Sequence, residues 1–137
     1  MPEAAYVALG SNLGDRHAAL AFARGRLAEL PGTRLVAATA IEETEPLGGP
    51  PQGAYLNQMV LLETELSPQS LLDACLAIER AFGRERGERW APRTLDLDIV
   101  RYADREIVEP GLMVPHPGLA SRPFWQRELA ALTDHER

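Results

Sequence analysis

The stretch Leu95-Asp96-Leu97-Asp98-Ile99 alternates apolar and acidic residues with a period of two. Successive strand side chains point to opposite faces, so the alternation predicts a β-strand over Leu95–Tyr102. Its three leucine and isoleucine side chains would face a core, while Asp96 and Asp98 share the other face with α-carbons about 7 Å apart. This strand therefore belongs to a sheet that has one covered face and one open face.

The residues around this strand predict further strands and helices. Ser67-Pro68 supplies a capping oxygen and a first-turn proline, which favour a helix that ends at Gly83. The other predicted elements are strands at Tyr6–Leu9, Arg34–Thr44, Tyr55–Thr64 and Glu106–Val108, a helix from Arg16 to Leu30 capped by Asp15 or Asn12, and a closing helix at Pro123–Leu132. The order indicates an α+β fold of the ferredoxin-like βαββαβ kind, with a mostly antiparallel sheet and helices packed on one face.

Bulk composition limits the classes of function. The chain has 137 residues, which suits a single domain over 1–137, and 45% of them are hydrophobic. A net charge of -6 argues against a general nucleic-acid binder. The first five residues lack the pattern of a signal peptide, and no apolar run approaches the roughly 20 residues that span a bilayer. We expect a cytoplasmic monomer with no nucleic-acid or membrane partner.

All 14 basic residues are arginine, so the lysine of a phosphate loop is excluded. Four of them, Arg84, Arg86, Arg89 and Arg93, lie in a predicted loop just before the acidic strand. If that loop folds over the strand, its cations meet the aspartates, as in sites that bind a polyphosphate with magnesium. The alternative is a solvated loop whose charges pair among themselves.

The aspartate pair has two interpretations. Two neighbouring carboxylates repel each other unless a cation lies between them, and hard oxygen ligands suit Mg²⁺. Two ions roughly 3.5–4 Å apart would be able to share Asp96 and Asp98. The alternative is a strand with a solvated polar face.

Several aromatic and amide side chains are suited to a flat ring. Tyr55 and Asn57 share a strand face, and an amide pairs well with the polar edge of a heterocycle. Trp90 and Phe124 would be able to sandwich such a ring. A hydrogen-bonded sheet pair and a core phenylalanine are the alternatives.

Two more ionisable residues are of interest, a histidine in a loop and a glutamate on a helix. His116 lies between two prolines, which restrict its backbone, and would donate to a phosphate oxygen. Glu79 lies at the edge of the apolar stripe of the second helix. The alternative for the histidine is a structural hydrogen bond, and the glutamate is by default solvated or salt-bridged.

These motifs, taken in order, resemble the 6-hydroxymethyl-7,8-dihydropterin pyrophosphokinase family of folate biosynthesis. The resemblance covers most of the chain, from Tyr6 to Leu132, and Arg89–Ile99 is its most specific part. The supporting stretches are Leu9–Gly14, Thr44–Gly48, Tyr55–Asn57, Pro115–Pro117, and Arg122 with Phe124.

The resemblance implies that ATP is the co-substrate and that pyrophosphate moves to a pterin alcohol. Asp96 and Asp98 would hold two magnesium ions and act with Arg84 and Arg93 in catalysis. The pterin pocket would be lined by Thr44, Leu47, Tyr55, Asn57, Trp90 and Phe124. The nucleotide would be bound by Glu79, Arg86, Arg89, Arg93, Ile99, His116 and Arg122.

Some residues depart from the family pattern. Gly111 and Met113 replace polar residues that contact ATP in some members, and Glu128 stands where a proline is usual. Two alternatives of another class remain open on the same topology: an RNA-recognition-like binding module, and a metal-dependent phosphatase or nuclease that uses the same aspartates.

Overall fold

A computed structural model describes residues 2–12, 14–44, 54–85 and 95–135, and for residues 84, 85, 134 and 135 it describes the backbone alone. The elements are β1 (Glu3–Ser11), α1 (Arg16–Ala28), β2 (Thr33–Ala38), β3 (Glu42–Thr44), β4 (Tyr55–Thr64), α2 (Pro68–Glu85), β5 (Asp96–Tyr102), β6 (Ile107–Glu109), β7 (Leu112–Val114), a 3-10 helix (Pro117–Ser121) and α3 (Pro123–His135).

The main sheet is antiparallel, with strand order β2-β4-β1-β5 and the short β3 paired to β4. The two longest strands, β1 and β4, are its centre and are almost wholly buried. Helices and an antiparallel sheet together confirm the α+β prediction. The finer ferredoxin-like assignment stays a prediction.

One face of the sheet is covered by α1 and α2. Asp15 caps α1, because its Oδ1 accepts from the N–H of Ala18 at 3.0 Å, and Ser67 Oγ accepts from Ser70 at the start of α2. Both helices turn an apolar stripe towards the sheet and form what we call the first core. Its members include Val7, Leu9, Leu20, Leu27, Val60, Leu62, Leu71, Cys75, Ile78, Leu97 and Ile99.

The prediction that the helices pack on one face is wrong for the closing helix. The opposite face carries the second core, to which α3 contributes Trp125 and Leu132. The strands contribute its remaining buried members: Tyr6, Ala8, Met59, Leu61 and Val100. The central strands therefore carry apolar side chains on both faces of the sheet. The second face also has to be covered, and α3 covers it.

Three boundaries also differ from the predictions. The expected strand Arg34–Thr44 divides into β2 and β3 around Thr39, whose carbonyl accepts from the side chain of Gln58. Helix α2 continues past Gly83, because one glycine costs a helix only about 1 kcal/mol, so the backbone of Arg84 is helical. The short strand predicted at Glu106–Val108 pairs with β7 as a hairpin.

Candidate functional site

Strand register brings the predicted polar residues to one end of the second sheet face. In one cross-strand row, Gly10 of β1 lies between Asn57 of β4 and Asp96 of β5. In the next row, Ala8 lies beside Asp98. Directly opposite residues of antiparallel strands point to the same face, so both aspartates and the amide share it. We call this region the polar end of the second face.

His116 lies against this polar end through its own backbone and ring. Its N–H donates to the carbonyl of Val100 at 2.9 Å, which attaches it to the end of β5. Its Nδ1 accepts from the N–H of Gly118 at 2.9 Å, so a neutral ring carries its proton on Nε2. That Nε2 lies 3.6 Å from Oδ1 of Asp98. The imidazole therefore presents a donor beside a carboxylate.

The aspartates have the oxygen chemistry that magnesium prefers. Both are partly exposed, and the side chain of Asp98 is 44% accessible. Across the part of the chain that the structure describes, no cluster of three or more ligating side chains exists. Mg²⁺ usually keeps waters and binds one or two carboxylates together with substrate phosphates, so a pair without a third protein ligand fits this ion.

A cavity of about 290 Å³ opens beside Asp98. It extends from Asp98 and His116 to the β6–β7 hairpin. Its walls are Leu72, Leu97, Asp98, Ile99, Glu109, Gly111, Leu112, Met113, His116 and Pro117. One end therefore carries ionisable groups while the rest is mainly apolar, which is the usual character of a small-molecule pocket.

Glu79 reaches the same region from below the sheet. Its Oε2 accepts from the N–H of Leu97 at 2.7 Å and so ties α2 to β5 between the two aspartates. Its side chain does not line the cavity formed by the described residues. A direct contact between Glu79 and a nucleotide stays a prediction.

Three of the residues predicted to line a pterin pocket lie together on the other side of Gly10: Thr44, Tyr55 and Asn57. Nδ2 of Asn57 donates to Oγ1 of Thr44 at 2.5 Å, and Thr44 pairs with Tyr55 across β3 and β4. A Cβ built on Gly10 would lie 3.7 Å from Oδ1 of Asn57 and 3.9 Å from Cδ1 of Tyr55. The missing side chain therefore leaves a shallow floor between an amide and an aromatic ring.

Helix α3 and the turn before it carry Phe124, Arg122 and Trp125, and Trp125 contacts the ring of His116. Phe124 is half-buried against the second core. The guanidinium carbon of Arg122 lies 4.5 Å from the centre of the Trp125 ring. The sequence does not single out Trp125, which lies in the first turn of α3 and whose backbone N–H donates to the carbonyl of Arg122 at 3.0 Å.

Glu128 is a second residue whose environment was not foreseen. It is 4% exposed, and neither carboxylate oxygen has a hydrogen-bond partner among the described residues. Its pKa is raised to about 8, first by burial and then by the charge of Glu42, while Arg127 opposes the shift. Arg127 itself donates to Glu42 at 2.9 Å. Burial therefore favours the protonated form of this carboxyl group near neutral pH.

Five predicted site residues lie outside the described residues. They are Leu47, Arg86, Arg89, Trp90 and Arg93. The backbone of Arg84 lies in the last turn of α2, and its side chain is not described. A search of the described helices found none that is long and apolar enough to cross a membrane.

Comparison with known proteins gives one consistent result. The model of the family 7,8-dihydro-6-hydroxymethylpterin-pyrophosphokinase matches residues 6–134. A protein of Methylorubrum extorquens is 44% identical over 120 residues, covering 88% of this chain and 76% of that protein. One of Pseudomonas aeruginosa is 42% identical over 132 residues, covering 96% and 82%. One of Pseudomonas putida is 47% identical over 112 residues, covering 82% and 92%. All three are named 2-amino-4-hydroxy-6-hydroxymethyldihydropteridine pyrophosphokinase.

Proposed function

The chain belongs to the 7,8-dihydro-6-hydroxymethylpterin-pyrophosphokinase family, and on that premise we propose how its polar end performs the family's reaction. The enzyme transfers pyrophosphate from ATP to the hydroxymethyl group of 6-hydroxymethyl-7,8-dihydropterin, a step of folate biosynthesis. The products are AMP and the pterin diphosphate. The single observation that supports the site is that Asp98 and His116 flank the same cavity, and Asp98 lies two residues after Asp96 on the same strand.

The nucleoside half of ATP would occupy the cavity, with its phosphates towards the polar end. Ile99 and Met113 are apolar walls there, so they would contact the base or ribose through dispersion. His116 and Arg122 are the donors closest to where the phosphates would lie. Because Gly111 and Met113 offer no polar side-chain atoms other than a thioether, base recognition would depend on shape and backbone groups.

The pterin would lie over Gly10, on the side of Thr44, Tyr55 and Asn57. An aromatic ring and an amide match the flat, hydrogen-bonding edge of a pterin. Phe124 would supply the facing ring, together with Leu47 and Trp90 as the resemblance implies. Both substrates would then meet above β1, with the hydroxymethyl group directed towards the aspartates.

Asp96 and Asp98 would hold two magnesium ions, which when bound neutralise charge on the β- and γ-phosphates. The pterin hydroxymethyl oxygen would form a bond to the β-phosphorus as the bond to the bridging α–β oxygen breaks and AMP leaves. The hydroxyl proton would pass to a carboxylate of the site or to solvent. His116 and Arg122 would donate to phosphate oxygens as charge moves to the leaving group. The same role is proposed for Arg84, Arg86, Arg89 and Arg93. No covalent intermediate is needed, since aligned substrates and charge stabilisation lower the barrier.

Direct product analysis tests this proposal. The protein is incubated with ATP, magnesium and 6-hydroxymethyl-7,8-dihydropterin, and AMP and the pterin diphosphate are quantified by chromatography. We expect one AMP for each pterin diphosphate, and none when the pterin is omitted or a chelator is added. Inorganic phosphate in place of AMP would support a phosphatase. Salt-sensitive RNA binding that survives the chelator, without AMP, would support the RNA-binding alternative. The comparisons favour neither of these two.

We also propose the domain organisation, the oligomeric state and the cellular location of the protein. Residues 1–137 would act as one pyrophosphokinase domain, which the family match over residues 6–134 supports. The enzyme would act as a monomer in the cytoplasm, where ATP is available. A molar mass near 15.0 kDa by light scattering would support the monomer, and twice that value would contradict it.

A further inference from the structure

Trp125 contacts both residues that the proposed function assigns to the triphosphate. The rings of His116 and Trp125 meet edge to face, with centroids 5.0 Å apart and planes at 89°. The guanidinium carbon of Arg122 lies 4.5 Å from the same indole ring. Trp125 is itself 5% exposed and fixed in the second core. We propose that Trp125 is a positioning residue that orders His116 and Arg122 for the phosphates of ATP, an inference that rests on the proposed function.

The indole completes the constraints on His116. The backbone of His116 is attached to Val100, and its Nδ1 accepts from Gly118. The hydrogen bond at Nδ1 limits rotation of the ring about its side-chain bonds, but it is a single restraint on that rotation. The edge-to-face contact with Trp125 restricts that rotation and keeps Nε2 directed to the side of Asp98, 3.6 Å away.

The same indole holds Arg122 without using its hydrogen-bond donors. A guanidinium over a ring is attracted through its face, while its N–H groups point outwards in the plane. Within the described part of the chain, Arg122 makes no ion pair with a carboxylate, and it is absent from the described side-chain hydrogen bonds. The cation is therefore oriented and still able to bond two oxygens of a phosphate.

Gly118 supplies the space that this arrangement needs. A Cβ built on Gly118 would overlap Nη1 of Arg122 and lie 3.1 Å from Nδ1 of His116. The overlapping atom is the end of a flexible side chain, so an alanine would displace the guanidinium and leave the backbone in place. Gly118 therefore offers a second way to move Arg122 without altering Trp125.

The test compares Trp125→Leu, Trp125→Phe and Gly118→Ala with Leu132→Ala as the matched control. Leu132 is also buried in the second core on α3, two helical turns and roughly 10 Å beyond Trp125. For each variant, calorimetry measures affinity for a non-hydrolysable ATP analogue with magnesium, and kinetics measure KM for each substrate and kcat. NMR follows the His116 ring protons, assigned with His116→Gln.

We expect Trp125→Leu and Gly118→Ala to weaken binding of the analogue on the order of tenfold and to raise KM for ATP equally. The KM for the pterin stays unchanged. Trp125→Phe keeps a ring and loses less affinity. Trp125→Leu also shifts the His116 protons, whereas Leu132→Ala lowers the melting temperature and leaves affinity and His116 signals unchanged.

Unaltered analogue affinity in a folded Trp125→Leu variant would overturn the inference, as would equal losses in the Leu132→Ala control. If Trp125→Leu does not fold, Trp125→Phe decides the question by the same measurements, and wild-type analogue affinity in that variant would overturn the inference. A wild-type protein that binds the analogue but makes no AMP would overturn the proposed function, and the binding comparison would still decide the role of Trp125.

Discussion

Asp98 is the aspartate whose surroundings are most fully described: its side chain is 44% exposed and lies beside the imidazole of His116. Asp98→Asn keeps the shape but removes the charge that a magnesium–phosphate complex needs. We expect turnover to fall roughly a thousandfold, corresponding to about 4 kcal/mol, with the melting temperature retained. AMP formation under saturating substrates measures the effect.

Asp104→Asn is the control for this change. Asp104 is 99% exposed in the turn after β5, lies 3.7 Å from Arg101 and is not among the described residues that line the cavity. It should retain wild-type turnover. If folded Asp98→Asn makes AMP at nearly the wild-type rate, Asp98 does not hold a metal.

Gly10 lies where the pterin is proposed to rest. Because an added Cβ would make only ordinary contacts of 3.7–3.9 Å, Gly10→Ala should fold. The methyl group would occupy the floor of the pterin site, so KM for the pterin should rise roughly tenfold while KM for ATP stays constant. Gly25→Ala on α1, where a Cβ meets open space, is the matched control and should change neither constant. A KM for ATP that rises in parallel would place the pterin elsewhere.

Glu128 predicts a pH dependence of stability. Its pKa is raised from an ordinary 4.5 to about 8 by burial, so between these values the folded state holds a proton that the unfolded state releases. Stability from this group is therefore complete below about pH 4.5, falls by up to about 1.4 kcal/mol per pH unit, and is lowest above about pH 8.

Glu128→Gln removes this titration. Denaturant unfolding from pH 5 to 9 should show the variant gaining free energy of unfolding relative to the wild type as pH rises, with a plateau above about pH 8. Arg127→Gln, which removes the cation that lowers this pKa, should extend the loss to higher pH. A difference between Gln and Glu that is the same at every pH would show that the acid is not buried in a protonated form.

Residues differ in how far sequence alone reveals them. The alternation of aspartates with leucine and isoleucine predicts which face each occupies, because strand geometry is local. The environments of Trp125 and Glu128 depend on where α3 packs, and local periodicity does not specify that. The sequence pattern of a tryptophan and a glutamate on one helix stripe is the same whether that stripe faces solvent or a second core.

At the scale of elements, β5 is fixed on both edges: β1 pairs with one side, and Glu79 of α2 accepts from Leu97. Glu79→Ala removes a charged acceptor and leaves the amide without its partner. We expect a loss of about 2 kcal/mol in unfolding free energy and faster hydrogen exchange at Leu97. Glu79→Gln, which keeps an oxygen acceptor, should lose less.

Asp73→Ala is the control on the same helix, since Asp73 is exposed on α2. It should leave the Leu97 amide protected. Protection of that amide in Glu79→Ala equal to the wild type would show that β5 does not depend on this link, and would favour a direct nucleotide role for Glu79.

The sequence predicted which elements exist better than how they pack. Long apolar patterns identified β4, α1 and α2 because a core stripe repeats along them. The sequence does not predict the break between β2 and β3, because the hydrophobic pattern continues across it. Hydrogen bonds that involve the side chains of Gln58 and Thr39 replace the backbone ladder there. Of the β6–β7 hairpin, the sequence predicts only the first strand, because a strand of three residues is too short to show a hydrophobic period.

At the scale of the molecule, one sheet separates two cores, and α3 covers only part of the second face. The uncovered polar end combines carboxylates, an imidazole and a cation in a chain whose net charge is -6. An anionic nucleotide therefore meets repulsion from the whole molecule and attraction from a small region of it. Magnesium bound with the nucleotide would reduce the repulsion by the net negative charge and strengthen the attraction at the polar end.

Thermal unfolding tests this coupling in the intact protein. A non-hydrolysable ATP analogue at about 100 times its Kd, with magnesium, should add about 2.7 kcal/mol and raise Tm by about 9 °C for a chain of this length. A chelator should remove most of that shift, and Asp98→Asn should lack it, while Asp104→Asn keeps it. A shift of equal size without magnesium would mean that the arginines and His116 bind the phosphates by themselves, so that the aspartates would need another explanation.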